Sequence, residues 1–373
     1  MNSPTYRQIA DAAKVSIFSV SCALRNRPGV SEATRKNIRK IASQMGYKPN
    51  PLVTALMTGH RRGRNRRMRA ILAVLTDRVT RRNRETSSTN RESYEGYVSA
   101  FGAAGFLVEE FLVEDYADAP MRFFSGLRFR NAPGVLIQAG VVPDWGITHW
   151  KHLALASVGN RQFNVPCHLA STDHYRNSWL AMTRLVGLGY KRIGFAMSRA
   201  EWVTTADYRA LSASMGWAVQ AGIPVIPPHW TETWESANFL RWVEVNRLEA
   251  VVAAEHEPLL FLQQAGYSIP RNIGFAHLGL DTKWDNLAGV RQNNFQVGEA
   301  AAQLVMDQIN RNSYGPPQHP CSVQVSGDWF QGPTIKAPGA RIRNLVTKPQ
   351  PNENNRSDRR PGENEIKKDR RRH

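Results

Sequence analysis

Short, unbroken apolar runs recur along most of this chain, and they constrain its fold more than any other feature. Residues 70–75 (AILAVL), 134–138 (GVLIQ), 153–158 (LALASV), 192–196 (RIGFA), 250–254 (AVVAA) and 273–278 (IGFAHL) each hold only five or six positions. Runs this short without polar alternation are strands buried on both faces, which is the habit of parallel sheets. Residues 106–113 read as a further strand. Helical segments lie between them: one begins at 94–101 and ends near Gly105, another spans 179–188 and stops at Gly189. Strand–helix alternation predicts an α/β body with parallel sheets and right-handed crossovers. Residues 70–340 are too many for one hydrophobic core, so two lobes are expected.

Composition narrows the class. The chain has 373 residues, 42% hydrophobic and 21% charged, as a globular protein does. Cys22, Cys167 and Cys321 are far apart, so neither a disulfide framework nor a zinc site is expected. No run reaches the length of a membrane helix, and the first residues hold no apolar core of a signal peptide. A cytoplasmic, nucleoid-associated setting is the expectation. The HExxH, GxSxG and P-loop patterns are absent, as are glycine-rich dinucleotide signals. No catalytic residue, metal or cofactor is therefore expected. His256, between Glu255 and Glu257, reads as part of a solvated acidic loop.

Net charge is +18, unevenly placed. Residues 1–69 hold 15 basic and 2 acidic side chains, a net of +13; residues 341–373 hold 11 and 5, a net of +6. The stretch between is near neutral, at −1. A basic head on a neutral body is the electrostatic footprint of a nucleic-acid binder with a second task. The polar tail beyond Thr347 has almost nothing to bury and reads as disordered.

The head has helical periodicity. Thr5 can cap a helix whose face is Ile9, Ala10 and Ala13. Lys14-Val15 forms a turn, and Ser16 caps a second helix, 17–24, with Val20, Ala23 and Leu24 inward. Ser31 opens a third, through Met45, with Thr34, Ile38, Ile41, Ala42 and Met45 on one face. This is a helix-turn-helix arrangement. Asn50-Pro51 can start a two-turn helix to Met57, marginal alone in water. A linker bearing Arg61, Arg62, Arg64, Arg66, Arg67 and Arg69 follows and reads as general phosphate counter-charge.

TYRQIADAAKVSIFSVSCAL, with VSEATRKNIRKIASQMGYKPN after it, resembles the DNA-binding head of the LacI/GalR family of bacterial repressors. The resemblance implies that the second helix enters the major groove and that the hinge helices of a dimer wedge Leu56 into the central minor groove. It places Ile17, Phe18 and Cys22 at the base-reading front. Thr5, Tyr6, Ser16, Ser19, Ser21, Asn26 and Tyr47 are placed among the DNA contacts that hold phosphates. The pattern departs from the family at Gln8, where Asp is usual, at Cys22, where a groove-reaching Arg is usual, and at Pro51-Leu52-Val53. Apolar Ile17 and Phe18 suit thymine methyls better than bidentate hydrogen bonds.

Three body segments, STDHYRNSWLAMTRLVGLGYKRIGFA, LQQAGYSIPRNIGF and GVRQNNFQVGEAAAQLVMDQI, are similar to the same family's effector domain, with Tyr190 where His is usual. The resemblance implies two Rossmann-like lobes joined by three crossovers, with a small ligand in the cleft. It implies Arg209 as the principal effector contact; the family's strand-end acid is replaced by Gly279, with Asp281 two residues on as the candidate, and Trp234 is a candidate by aromatic stacking. Ten tryptophans lie between 145 and 329, and Trp202, Trp230, Trp234 and Trp284 are expected in loops after strands. Aromatic faces stack on sugars, so a carbohydrate effector is expected, although tryptophans also serve as core.

The expected organisation is a helix-turn-helix domain at 1–48, a hinge helix and basic linker at 49–69, a periplasmic-binding-protein-like body at 70–340 that binds effector and dimerises, and a basic tail at 341–373. The expected function is an effector-controlled transcriptional regulator, a repressor, acting as homodimer or tetramer on an imperfectly palindromic double-stranded operator. A sugar-binding protein with no DNA role is the alternative, disfavoured by the +13 head.

Overall fold

The computed structural model describes residues 4, 6–24, 29–45, 70–138, 140, 142–159, 164–198, 205–280, 284 and 286–337. Thr5, Asn26, Tyr47, Leu56, Trp202 and Asp281 lie outside the described residues, as do the expected hinge helix, basic linker and tail.

The head is three helices: α1 (Tyr6–Ala13), α2 (Ile17–Leu24) and α3 (Glu32–Gln44). The turn after α1 is tight because Lys14 takes a left-handed φ of 53° while the Val15 N–H reaches Ala10 O at 3.0 Å. Ser16 Oγ accepts the Ser19 N–H at 3.1 Å and so caps α2; Ser31 Oγ accepts the Thr34 N–H at 3.2 Å and caps α3. Ile9, Ala10, Val20, Ala23, Ile38 and Ala42 form one small core, with Leu24 half-buried beside it. Met45, expected on the inner face, is exposed instead, because α3 ends at Gln44 and Met45 is already its cap.

The body begins in a first lobe with β1 (Ile71–Thr76), α4 (Arg78–Asn83), α5 (Ser88–Ala103), β2 (Leu107–Leu112), α6 (Pro120–Arg130), β3 (Gly134–Ile137), β4 (Ala154–Val158) and β5 (His168–Thr172). It crosses at Asp173 into a second lobe: α7 (His174–Gly187), β6 (Ile193–Ser198), α8 (Thr205–Gln220), β7 (His229–Thr231), α9 (Ser236–Val245), β8 (Ala250–Ala253), α10 (Glu257–Gln264), β9 (Gly274–Leu280) and β10 (Ala288–Arg291). It returns to the first with α11 (Asn294–Arg311) and β11 (Ser322–Val325), then crosses a third time to β12 (Asp328–Phe330). The strand orders are β11-β5-β4-β3-β1-β2 and β12-β10-β9-β8-β6-β7. All pairings are parallel except β10 with β12. The α/β class, the parallel sheets and the three crossovers are as the sequence predicts.

Two helices start earlier than expected. α5 begins at Ser88 rather than near Tyr94, and α7 begins at His174 because the Asp173 carboxylate accepts the Arg176 N–H at 2.9 Å. The lobes are packed by different means. In the first, α5 and α11 touch backbone to backbone: a Cβ on Gly96 would collide with Phe295 O, and one on Gly298 with Ser93 O. In the second, α7 and α8 meet through stacked Trp179 and Trp217 rings, 5.3 Å apart and 10° from parallel. A final strap closes the second lobe: Ile335 is buried, Thr334 Oγ1 donates to Phe275 O at 2.8 Å, and the Lys336 N–H donates to Tyr190 Oη at 3.0 Å.

Candidate DNA-binding face and ligand cavity

α3 sets the orientation of α2. Arg35, 8% exposed, donates from Nη1 to Cys22 O at 3.1 Å, and Arg39 Nε donates to Ala23 O at 3.3 Å. Cations at a helix C-terminus stabilise its unpaired carbonyls and the negative end of its dipole. The opposite end of α2 is left presented, with Ile17 51% and Phe18 63% exposed. Ser16 is exposed, Ser19 and Ser21 are half-buried, and the Ser16 and Ser19 hydroxyls bond each other at 3.0 Å. Tyr6 is half-buried against the head core.

Cys22 departs from expectation. It is 4% exposed and does not stand at the front. It falls on the inward side of α2 with Val20 and Ala23, and its sulfur lies 3.5 Å from where a Cβ on Gly29 would sit.

At the carboxyl ends of the first-lobe strands, against the crossovers, lies a cavity of about 620 Å³, within the range of small-molecule sites. Its first-lobe wall includes Asp77, Thr80, Asn90 and Gln138; the crossovers contribute Thr172, His174, Gln292 and Asn294. Asp77, Gln138 and Gln292 follow directly on a strand, as ligand-facing residues of open α/β sheets do. Several are already held. Asp77 caps α4 by accepting the Thr80 N–H at 2.6 Å, and it also accepts the Gly140 N–H. Gln138 Oε1 accepts from Tyr97 Oη at 2.7 Å and from Arg84 at 3.0 Å. Arg84 also pairs with Glu110 and lies 4.1 Å over the Tyr94 ring. Burial pushes the Tyr97 phenol well above its ordinary range.

At the hinge, burial first and the Arg209 charge second pull the His174 pKa down to about 4, so the imidazole is neutral. Arg209 is thus placed next to a cavity-lining residue, and its buried Nη1 has no hydrogen-bond partner among the described residues. In the second lobe the strand ends carry a different set. Ser198 Oγ donates to Glu255 Oε1 at 2.6 Å, and the His256 ring lies 4.4 Å from His277 and 3.7 Å from Trp284. His277 is 2% exposed, and burial with the neighbouring His256 pulls its pKa down to about 3. Glu255 and His256 are half-buried, so the solvated loop expected there is corrected to a packed one. No group of three or more His, Cys, Asp or Glu able to hold a metal occurs among the described residues.

The tryptophan expectation is also corrected. Trp234 packs with Phe239, Phe261 and His229 in the core of the second lobe and is not among the cavity-lining residues. Trp230 lies within β7 rather than in a loop, against Tyr208. No tryptophan lines the cavity among the described residues.

The chain thus joins a basic helix-turn-helix head to a two-lobed α/β body with a cavity at its crossovers. Residues 5–50 match the family model for bacterial regulatory proteins of the lacI family. The HTH-type transcriptional repressor CytR of Escherichia coli (strain K12) is 25% identical over 331 residues, spanning 83% of this chain and 91% of that protein. The transcriptional regulator CelR–cellobiose complex has the same fold, with a TM-score of 0.53 and 18% identity over 89% of this chain and 99% of its own. So does the lac repressor dimer bound to operator and the anti-inducer ONPF, with a TM-score of 0.51 and 15% identity over 90% of this chain and all of that one. No helix among the described residues is long and apolar enough to cross a membrane.

Proposed function

We propose that this protein is a transcriptional repressor whose head binds double-stranded DNA and whose body senses a small neutral, hydroxyl-rich molecule, a sugar by class. The observation that carries the reading is the LacI-family head, its recognition helix presented, on a body whose roughly 620 Å³ cavity lies where the chain crosses between lobes. CelR was solved with cellobiose and the lac repressor with an operator, which supports carrying both partners to this chain. The cavity fits such a ligand by amides and hydroxyls, Asn90, Gln138, Thr172, Gln292 and Asn294, rather than by aromatic stacking. Ligand closing the lobes would shift the population of states whose heads can engage DNA together. The regulator acts as a homodimer, at least, on an imperfect palindrome, and the cavity is regulatory rather than catalytic. Thr5, Tyr6, Ser16, Ser19, Ser21, Asn26 and Tyr47 hold phosphates, Leu56 wedges the central step, and Arg209 and Asp281 contact the effector.

The test is selection of bound duplexes from a random pool by the full-length protein, with and without a panel of sugars. A palindromic motif whose occupancy one sugar changes is the expected result. Arg209→Ala is expected to keep the motif and lose the sugar response. Salt-sensitive, sequence-blind binding that no sugar alters would overturn the reading.

A further inference from the structure

The described front of α2 holds two exposed apolar side chains, Ile17 and Phe18, and no exposed side chain able to make a bidentate hydrogen bond to a base. The hydroxyls flanking that front are turned on each other and on the backbone, Ser16 Oγ to Ser19 Oγ at 3.0 Å and to the Ser19 N–H at 3.1 Å. Cys22, one turn further on, is buried, and its carbonyl is held by Arg35. The Phe18 ring lies against Gly29, its Cε1 3.6 Å from where a Cβ there would sit, so the ring is positioned before anything binds. The occupant of this apolar face is the major groove of DNA: residues 1–69 carry a net charge of +13, and the groove is wide enough for a helix. The one apolar group that base edges present there is the methyl on pyrimidine C5.

We propose that Ile17 and Phe18 make this head a reader of C5-methyl groups, so that thymine and 5-methylcytosine are equivalent at the positions they face and unmethylated cytosine or uracil is not. The inference rests on the head binding DNA sequence-specifically, and each methyl acts through apolar contact alone.

The probe is the duplex selected by the full-length protein, remade with deoxyuridine for each half-site thymine in turn. At one or two thymines per half-site, removal of the methyl is expected to weaken binding about fourfold, the worth of one buried methyl or methylene. Replacing that T·A pair by 5-methylcytosine·guanine should retain most of the affinity, and by cytosine·guanine should lose it. In Phe18→Ala and Ile17→Ala, checked for intact helicity by circular dichroism, the thymine–uracil difference should shrink at the matching position. If every deoxyuridine duplex binds the native protein within twofold of the thymine duplex while the sequence motif persists, methyl reading is overturned and the regulator stands. If no motif is selected at all, both fall.

Discussion

The two lobes share a strand order but finish their strands with different chemistry. β2-β1-β3-β4-β5-β11 in the first lobe corresponds position by position to β7-β6-β8-β9-β10-β12 in the second. At the carboxyl ends the first lobe sets Asp77 and Gln138 in hydrogen-bond networks, with Arg84, Tyr97 and Thr80 holding them. The second sets a stack of Trp284, His256 and His277, with His277 Nε2 buried and without a hydrogen-bond partner among the described residues. Likewise, the first lobe joins its helices α5 and α11 by glycine contacts and the second joins α7 and α8 by a tryptophan stack. Topology alone therefore does not fix what a sheet presents to a ligand; the residue after each strand does.

The largest test of this contrast is Gly96→Val. Its added atoms meet backbone that cannot move aside, and the loss is expected to be about 3 kcal/mol or more, read by urea denaturation. Trp217→Ala in the second lobe should cost less, about 1–2 kcal/mol, because the stack is half-buried and can collapse. The reverse order would break the comparison. Next, Gln138→Ala strips Tyr97 and Arg84 of a buried acceptor and should cost about 1–3 kcal/mol at neutral pH.

The histidines give a pH-dependent effect with a definite sign. His174 and His277 stay neutral in the fold down to about 4 and about 3, whereas in the unfolded chain histidine takes up a proton near 6.5. Between those limits the unfolded chain binds more protons, so stability rises with pH and is lost as pH falls from about 6.5 toward 4. A drop in Tm of about 2–4 °C per kcal/mol is expected over that window, and His174→Gln or His277→Gln should flatten it. An unchanged slope in both variants would remove the histidines from the account. Ser198→Ala should have the smallest effect, about 1 kcal/mol, since Glu255 keeps the Ser198 backbone N–H at 3.3 Å.

The sequence is most legible where local rules and tertiary structure agree. The Ser16 and Ser31 caps and the inward Val20 and Ala23 follow from spacing alone, as do β1, β3, β4 and β8, whose apolar runs need no partner to be recognised. α4 escapes notice because its sequence, RVTRRN, has no apolar stripe; it is held by the Asp77 cap and by pairs with Glu110 and Asp115. β7 has three residues and no pattern. The cavity wall is not legible in the tryptophans, because residue type does not say which side of a sheet a ring takes, and Trp234 takes the core side. The usable signal was positional: Asp77 and Gln138 directly follow buried runs. Cys22 defies the family pattern because it stands on the inward face of α2 with Val20 and Ala23.

The number of crossings between lobes is three, and odd parity has a practical consequence. The described body starts on one lobe at residue 70 and finishes on the other at residue 337, so the two sites belong to opposite jaws. Donor and acceptor dyes attached near these two positions form a calliper across the cleft. Energy transfer between them would report closure directly, in the absence of DNA and without altering any residue that lines the cavity.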